Sequence, residues 1–130
     1  MGRIAMEKNS SSEDYMKSIL ILQMKNEKVR SVDVAEQMGV TKPSVSSAMK
    51  KLRERKMIFF DKDGYIFFTD EGKALAEKIY RKHSLLSRWL MSVGVKKDVA
   101  DKEACMMEHA ISDETYQCLE SYIFGNAHAN

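Results

Sequence analysis

Ser31-Val-Asp-Val-Ala-Glu-Gln-Met-Gly39-Val-Thr41-Lys-Pro-Ser-Val-Ser-Ser-Ala-Met-Lys50-Lys-Leu52 decides the fold. Val34, Ala35 and Met38 recur at helical spacing from Ser31 until Gly39, whose tolerance of positive φ suits a tight helix exit. A further helix opens at Thr41 and ends near Lys56, with Pro43 tolerated in its first turn because the missing N–H would have no partner there. Val45, Met49 and Leu52 form its buried side, and Ala35 is small enough for a close crossing, which makes the pair a helix-turn-helix. The opposite side presents Thr41, Lys42, Pro43, Ser44, Ser47, Lys50 and Lys51, offering hydroxyls to base edges and ammonium groups to phosphates.

Outward from this stretch, Met57-Ile-Phe-Phe60, Asp61-Lys-Asp-Gly64 and Tyr65-Ile-Phe-Phe68 read as two strands around an Asp-Gly turn. Such a hairpin is a wing, with Lys62 at its basic tip. Before the pair, a first helix is expected to start after Ser12 as N-cap, with Glu13 and Asp14 in its first turn and Tyr15, Ile19 and Leu22 on its apolar stripe. After the wing, Thr69 caps a long helix opened by Asp70 and Glu71, in which Leu75, Ile79, Leu86, Leu90 and Val93 recur and His83 shares the apolar side. A linker at residues 94–97 leads to a helix whose core stripe is Ala100, Ala104, Met107 and Ile111, with Cys105, Glu108 and His109 flanking it, followed by a last helix capped by Ser112. The expected architecture is mainly α with a small β-hairpin, a winged helix-turn-helix followed by a helical dimerisation domain. Residues 1–11 read as a flexible tail, 12–70 as the winged domain, 71–124 as the helical metal-binding and dimerisation domain, and 125–130, with His128, as a second tail.

The 130 residues, 31% of them charged, suit one compact cytosolic chain with two subdomains. No apolar run reaches the roughly 18 residues of a membrane span, and residues 1–10 hold no apolar signal-peptide core. Two cysteines without a secretory context argue against a disulfide framework. The formal net charge of +2 conceals a segregation. Residues 41–56 hold Lys42, Lys50, Lys51, Arg53, Arg55 and Lys56 against Glu54, whereas residues 98–120 hold Asp98, Asp101, Glu103, Glu108, Asp113, Glu114 and Glu120 against Lys102. The first stretch suits a polyanion and the second suits cations.

Within the acidic stretch, Cys105-Met-Met-Glu108-His109 sets a thiolate, a carboxylate and an imidazole at i, i+3 and i+4, within about 100° on one side of a helix. Such mixed-softness donors accept Fe(II), Co(II), Ni(II) and Zn(II), and suit Mn(II) less well. Three helices after the wing exceed what a monomeric reader requires, so their surplus apolar surface is expected to pair with a second copy.

The order of elements, together with Cys105-x-x-Glu108-His109 followed by Ser112-Asp-Glu114, Arg81-Lys-His83 and Thr41-x-Pro-Ser-Val-Ser46, resembles the diphtheria toxin repressor family of iron- and manganese-dependent regulators. The resemblance covers roughly residues 12–123 and implies a short form without that family's SH3-like domain. It implies that Asp14, Cys105, Glu108 and His109 are ligands of a primary site for Fe(II) or Mn(II), with Zn, Co or Ni possible in vitro, and that His83 serves the other metal position. Asp14 is similar to the manganese-type members and Cys105 to the iron-type members. Lys17 departs from the manganese type, which has a second carboxylate there, and Ser87 departs from the iron type, which has a carboxylate there; Asp101 or Glu103 are candidates to compensate. The implied function is a homodimeric repressor of metal uptake or homeostasis genes that binds a pseudo-palindromic double-stranded DNA operator. An alternative reading is a thiol-based redox-sensing winged-helix regulator in which Cys105 is the oxidised group. Catalysis is not expected, because Cys105 and His109 at i, i+4 on a helix bring no oxyanion hole.

Overall fold

The computed structural model describes the backbone of residues 2–129 and the side chains of residues 12–124. In chain order the elements are α1 (Gly2–Lys25), α2 (Ser31–Met38), α3 (Lys42–Glu54), β1 (Ile58–Phe60), β2 (Ile66–Phe68), α4 (Asp70–Ser92), α5 (Lys97–Ala110) and α6 (Asp113–Ala129). They form two compact units, Met1–Tyr80 and Arg81–Asn130. The division falls inside α4 and not at its start, because Ala76 and Ile79 of α4 are buried in the core of the first unit.

Residues 2–11 and 125–129, within the segments read from sequence as tails, are helical in backbone, as parts of α1 and α6. No glycine or proline interrupts residues 3–25, so a helix already nucleated extends at little further cost. Ser12 is therefore internal to α1 and does not cap it; its Oγ instead accepts a hydrogen bond from Arg55 at 3.0 Å. The side chain of His128 lies outside the described residues.

In the first unit, Tyr15, Met16, Ile19 and Leu22 of α1 meet Val34 and Ala35 of α2 and Val45, Met49 and Leu52 of α3 in one core. Each large side chain fully buried there contributes about 1.5–3 kcal/mol relative to exposure. Local chemistry sets the helix-turn-helix geometry. Gly39 takes φ 66° at the exit of α2, and the Val40 N–H donates to the Ala35 carbonyl at 3.1 Å. Thr41 caps α3 by accepting from the Ser44 N–H at 3.3 Å.

The wing is antiparallel, with Ile58 opposite Phe68, Phe59 opposite Phe67 and Phe60 opposite Ile66. Its tip is closed by Asp61, whose Oδ1 accepts from the N–H groups of Asp63 and Tyr65, each at 2.9 Å, with Gly64 at φ 86°. Ile58 and Ile66 point into the core while Phe59 and Phe67 stack outside it, the period-two alternation of a half-buried strand pair. The tip-side end of β2 is tied to α1 and to the chain just after it, since Ile66 N–H donates to the Val29 carbonyl at 2.7 Å and Gln23 of α1 donates to the Ile66 carbonyl at 3.1 Å.

Thr69 joins the wing to α4. Its hydroxyl donates to the Lys56 carbonyl at 2.7 Å and accepts from the Gly72 N–H at 3.0 Å. Lys56 itself stands at φ 61°. This knot brings α4 so close to the wing that a Cβ on Gly72 would lie 1.8 Å from the Met57 carbonyl oxygen. In the second unit, Leu85 and Leu86 of α4, Ala100 and Ala104 of α5 and Tyr116 of α6 are buried. Gly94 at φ 103° ends α4, and Ser112 caps α6 by accepting from the Thr115 N–H at 3.1 Å. Among the described residues no helix is long and apolar enough to cross a membrane.

Gly72→Ala is expected to lower stability by about 3 kcal/mol, the upper end of overpacking costs, since the obstructing atom is backbone. Thermal denaturation of the two proteins checks this; an unchanged melting temperature would refute the close approach.

Candidate metal centre and nucleic-acid interface

α5 lacks helix breakers from Lys97 to Ala110, and its period places Ala100, Ala104 and Glu108 at successive i, i+4 positions on one line. All three are buried, Glu108 to 3% exposure. The core stripe of α5 therefore ends in a carboxylate, whereas the sequence pattern assigned Met107 and Ile111 to that stripe and Glu108 to its flank. Met107 and Ile111 are half-buried. Ala100, Ala104 and Glu108 thus share the buried side of α5.

Cys105, Glu108 and His109 each offer one ligand atom, and these atoms lie within 4.8 Å of one another. Donors about 2.0–2.3 Å from one ion stand at most about 4.6 Å apart, so the cluster has close to the spread that one transition-metal ion needs. His109 Nε2 is 3.6 Å and His83 Nδ1 is 3.9 Å from Glu108 Oε1. His83, on α4, thus stands against the carboxylate and is not one of the clustered donors, while Cys105 is half-buried and Cys118 exposed. In the first unit, Asp14 on α1 is half-buried and forms an ion pair with Lys17 at 3.7 Å.

Ser87, a departure noted in the sequence, and Asp101, a candidate to compensate for it, are joined. Ser87 Oγ donates to Asp101 Oδ1 at 2.5 Å, and Lys97 Nζ lies 2.8 Å from Asp101 Oδ2. The lysine, then the serine hydroxyl, hold the Asp101 carboxyl below the usual carboxylate range, and the same contact raises Lys97. Glu103, the other candidate compensator, is exposed on α5.

On α3, Thr41, Lys42, Pro43, Ser44, Ser47, Lys50 and Lys51 are all exposed, as is Lys62 at the wing tip. Two of the hydroxyls are engaged locally, since Thr41 donates to Ser44 Oγ at 2.9 Å. Ser47, one turn further on, stands between Ser44 and Lys51 on the same face. Sequence reasoning did not single out Tyr65, whose ring lies beneath Arg30 at 4.4 Å and Lys28 at 5.4 Å. These basic groups sit beside the wing, and the signal available for them was the Lys28-x-Arg30 pair just before α2.

A winged helix-turn-helix followed by a helical unit carrying clustered thiolate, carboxylate and imidazole donors defines a class of two-part proteins, one part shaped for DNA and one for a metal ion. The family description "Iron dependent repressor, N-terminal DNA binding domain" matches residues 9–66, and "Iron dependent repressor, metal binding and dimerisation domain" matches residues 69–126. The chain belongs to this iron-dependent repressor family, which includes the diphtheria toxin repressor that its motifs resemble. It is 32% identical over 103 residues to the transcriptional regulator MntR of Escherichia coli O6:H1, covering 79% of this chain and 66% of that protein. The solved structure of the manganese regulator SloR matches with TM-score 0.77 and 34% identity, over 86% of this chain and 53% of that one. The metal-dependent transcriptional regulator MtsR matches with TM-score 0.80 and 33% identity, over the same shares. The chain thus spans about two-thirds of the curated relative's length and about half of the solved ones.

Because Asp101 is held ionised by its partners, its carboxylate stabilises the fold above the ordinary aspartate range, and that contribution is lost as pH falls through the depressed folded value. Ser87→Ala is expected to move the Asp101 titration upward toward the ordinary value. Carboxyl-carbon NMR titration checks this, and an unmoved titration would show that Lys97 alone sets it.

Proposed function

We propose that the chain is the subunit of a homodimeric, cytoplasmic, metal-responsive transcriptional regulator, a repressor of metal uptake or homeostasis genes. It binds a pseudo-palindromic operator in double-stranded DNA when Asp14, Cys105, Glu108 and His109 together hold Fe(II) or Mn(II). The clustering of the three α5 donors around a buried carboxylate carries this reading. Further support comes from the relatives, named as a manganese regulator and a metal-dependent transcriptional regulator.

Each residue has a separate task. Cys105, Glu108 and His109 are pre-set by one helix, so little ordering is needed before they bind. Asp14 supplies a carboxylate from the winged unit, and its recruitment to the same centre couples the placement of the reading helix to the state of the metal site. His83 orients Glu108, as an outer partner of a ligating carboxylate does. The bound ion supplies the positive charge that lets Asp14 and Glu108 share one centre despite their like charge. Exposed Met91, Val93, Val99, Met106, Tyr122 and Phe124 give the second unit apolar surface for a second copy. In the dimer two copies of α3 reach successive major-groove faces about 34 Å apart, with Ser47 toward base edges, Lys42, Lys50 and Lys51 toward phosphates, and Lys62 at the flanking backbone. The redox alternative gains no support, since Cys105 stands as a donor beside Glu108 and His109 and the relatives are named for metals.

Glu108→Ala and His109→Ala are each expected to abolish metal-stimulated operator binding while leaving the dimer intact. Fluorescence anisotropy with and without chelator, alongside sedimentation, checks this; metal stimulation retained in both variants would sink the ligand assignment. Lys50→Ala is expected to weaken binding to operator and random DNA alike and to flatten the salt dependence by about one ion, whereas Ser47→Ala changes sequence preference at a cost of about 1–3 kcal/mol. Competition against random DNA at several salt concentrations separates the two, and equal losses on both DNAs from Ser47→Ala would remove base readout there.

A further inference from the structure

Lys28 and Arg30 are exposed, and Val29 between them is buried to 1% exposure. Arg30 is extended, at φ −114° and ψ 165°, and in extended chain side chains two positions apart leave on one side. Both cations meet the ring of Tyr65, Arg30 at 4.4 Å and Lys28 at 5.4 Å from its centroid. Among the described residues neither takes part in an ion pair with a carboxylate. Two like charges gathered at one ring repel each other, and the fold gains nothing from that repulsion.

The ring itself is fixed in place. Tyr65 N–H donates to Asp61 Oδ1 at 2.9 Å, and the Tyr65 carbonyl accepts from the Asp61 N–H at 3.0 Å. The next residue, Ile66, is bonded to the Val29 carbonyl, which joins the wing to the residue between the two cations. Arg30 N–H donates to Asp33 Oδ2 at 2.8 Å, so the entry to α2 is held as well. A guanidinium can rest its face on a ring while its edge N–H donors stay free for a phosphate. Lys62, exposed in the turn that Tyr65 closes, brings a third cation to the wing tip.

We infer that Tyr65 is a positioning residue for DNA binding, whose ring holds Lys28 and Arg30 as an ordered pair of cations for the sugar-phosphate backbone beside the wing. The inference rests on the DNA-binding part of the proposed function. All three residues lie within residues 9–66, the stretch that the DNA-binding family description covers, and this favours a nucleic acid over an acidic peptide. Long basic side chains lose rotamer freedom on meeting a phosphate, and a ring that already orders them removes part of that cost from binding. Such contacts carry no base information, in contrast to the role proposed for Ser47.

The test is binding of the Mn(II)-loaded full chain to a random-sequence duplex, followed by fluorescence anisotropy at several salt concentrations. Lys28→Gln and Arg30→Gln are each expected to lower the slope of log affinity against log salt by about one. Tyr65→Ala and Tyr65→Leu keep both cations, so they are expected to leave the slope unchanged and to weaken binding about two- to fivefold, the scale of an exposed cation–π contact. Tyr65→Phe, which keeps the ring, is expected to restore what Tyr65→Leu loses. In a chain already carrying Lys28→Gln and Arg30→Gln, Tyr65→Leu is expected to cost nothing further, the mark of a residue that acts through those two. Tyr65→Leu retains apolar bulk, so the test stands if the alanine variant folds poorly. Full affinity in both Tyr65→Ala and Tyr65→Leu, an unchanged slope in both charge variants, or an undiminished loss from Tyr65→Leu without the two cations would each overturn the inference. The DNA-binding reading would still stand, with Lys50→Ala weakening the same duplex. No binding of the duplex by the wild type would overturn both.

Discussion

A carboxylate buried on the core stripe of a helix is the constraint around which the second unit is organised. Glu108 continues the line of Ala100 and Ala104, and its side chain is 1% exposed. A carboxylate at that depth persists only where cations and donors converge on it. His83 and His109 stand within 4 Å of one Glu108 oxygen. The imidazole of His109 and the thiol of Cys105 then follow automatically, because helical periodicity puts i−3 and i+1 beside position i on the same side. The cluster is thus a consequence of the packing of α5 and not a surface accumulation of acidic residues.

A second constraint shapes the first unit. The wing, the exit of α3 and the start of α4 meet at Thr69, whose hydroxyl serves as donor to Lys56 and as acceptor from Gly72. Gly72 is required by the nearness of the Met57 carbonyl, and Lys56 takes a left-handed conformation to turn the chain there. With the tip-side end of β2 also bonded to Val29 and Gln23, the hairpin is held at both ends. The exposed lysines of α3 and the wing tip are accordingly presented on a rigid frame, the condition under which a few polar contacts can select a sequence.

What could be read from sequence was what local chemistry determines. Gly39, Thr41 with Pro43, Asp61 with Gly64, and Thr69 each fix a turn or cap through neighbours a few residues away, and the structure places them in those roles. The Cys105, Glu108, His109 spacing was legible for the same reason. What was not legible depended on distant partners. Ser12 has the chemistry of an N-cap, yet it is used as an acceptor by Arg55, 43 positions away in the chain. The start of α4 joins the first core because Ala76 and Ile79 find apolar neighbours there, so no composition change marks the boundary. Glu108 was assigned to the flank because a carboxylate is ordinarily a solvated residue. The mutual hydrogen bond of Thr41 and Ser44 likewise depends on rotamers that sequence does not specify.

Among the described residues the buried charges are Lys17 in the first unit and Glu108 in the second. Neither is explained by stability, since a well-packed apolar side chain at either position would avoid the desolvation penalty. Each lies on the face of a helix next to a residue in the proposed donor set, Asp14 in one case, Cys105 and His109 in the other. A buried charge is sensitive to any change in its ionic surroundings, because little water is present to screen it. A chain acting as proposed, in answer to a divalent ion, would need groups whose energies depend steeply on that ion's charge. Solvated carboxylates would respond weakly, and a wholly apolar helix face would not respond at all. The two buried charges are therefore the features of this chain that its fold alone does not require and that a charge-triggered response does.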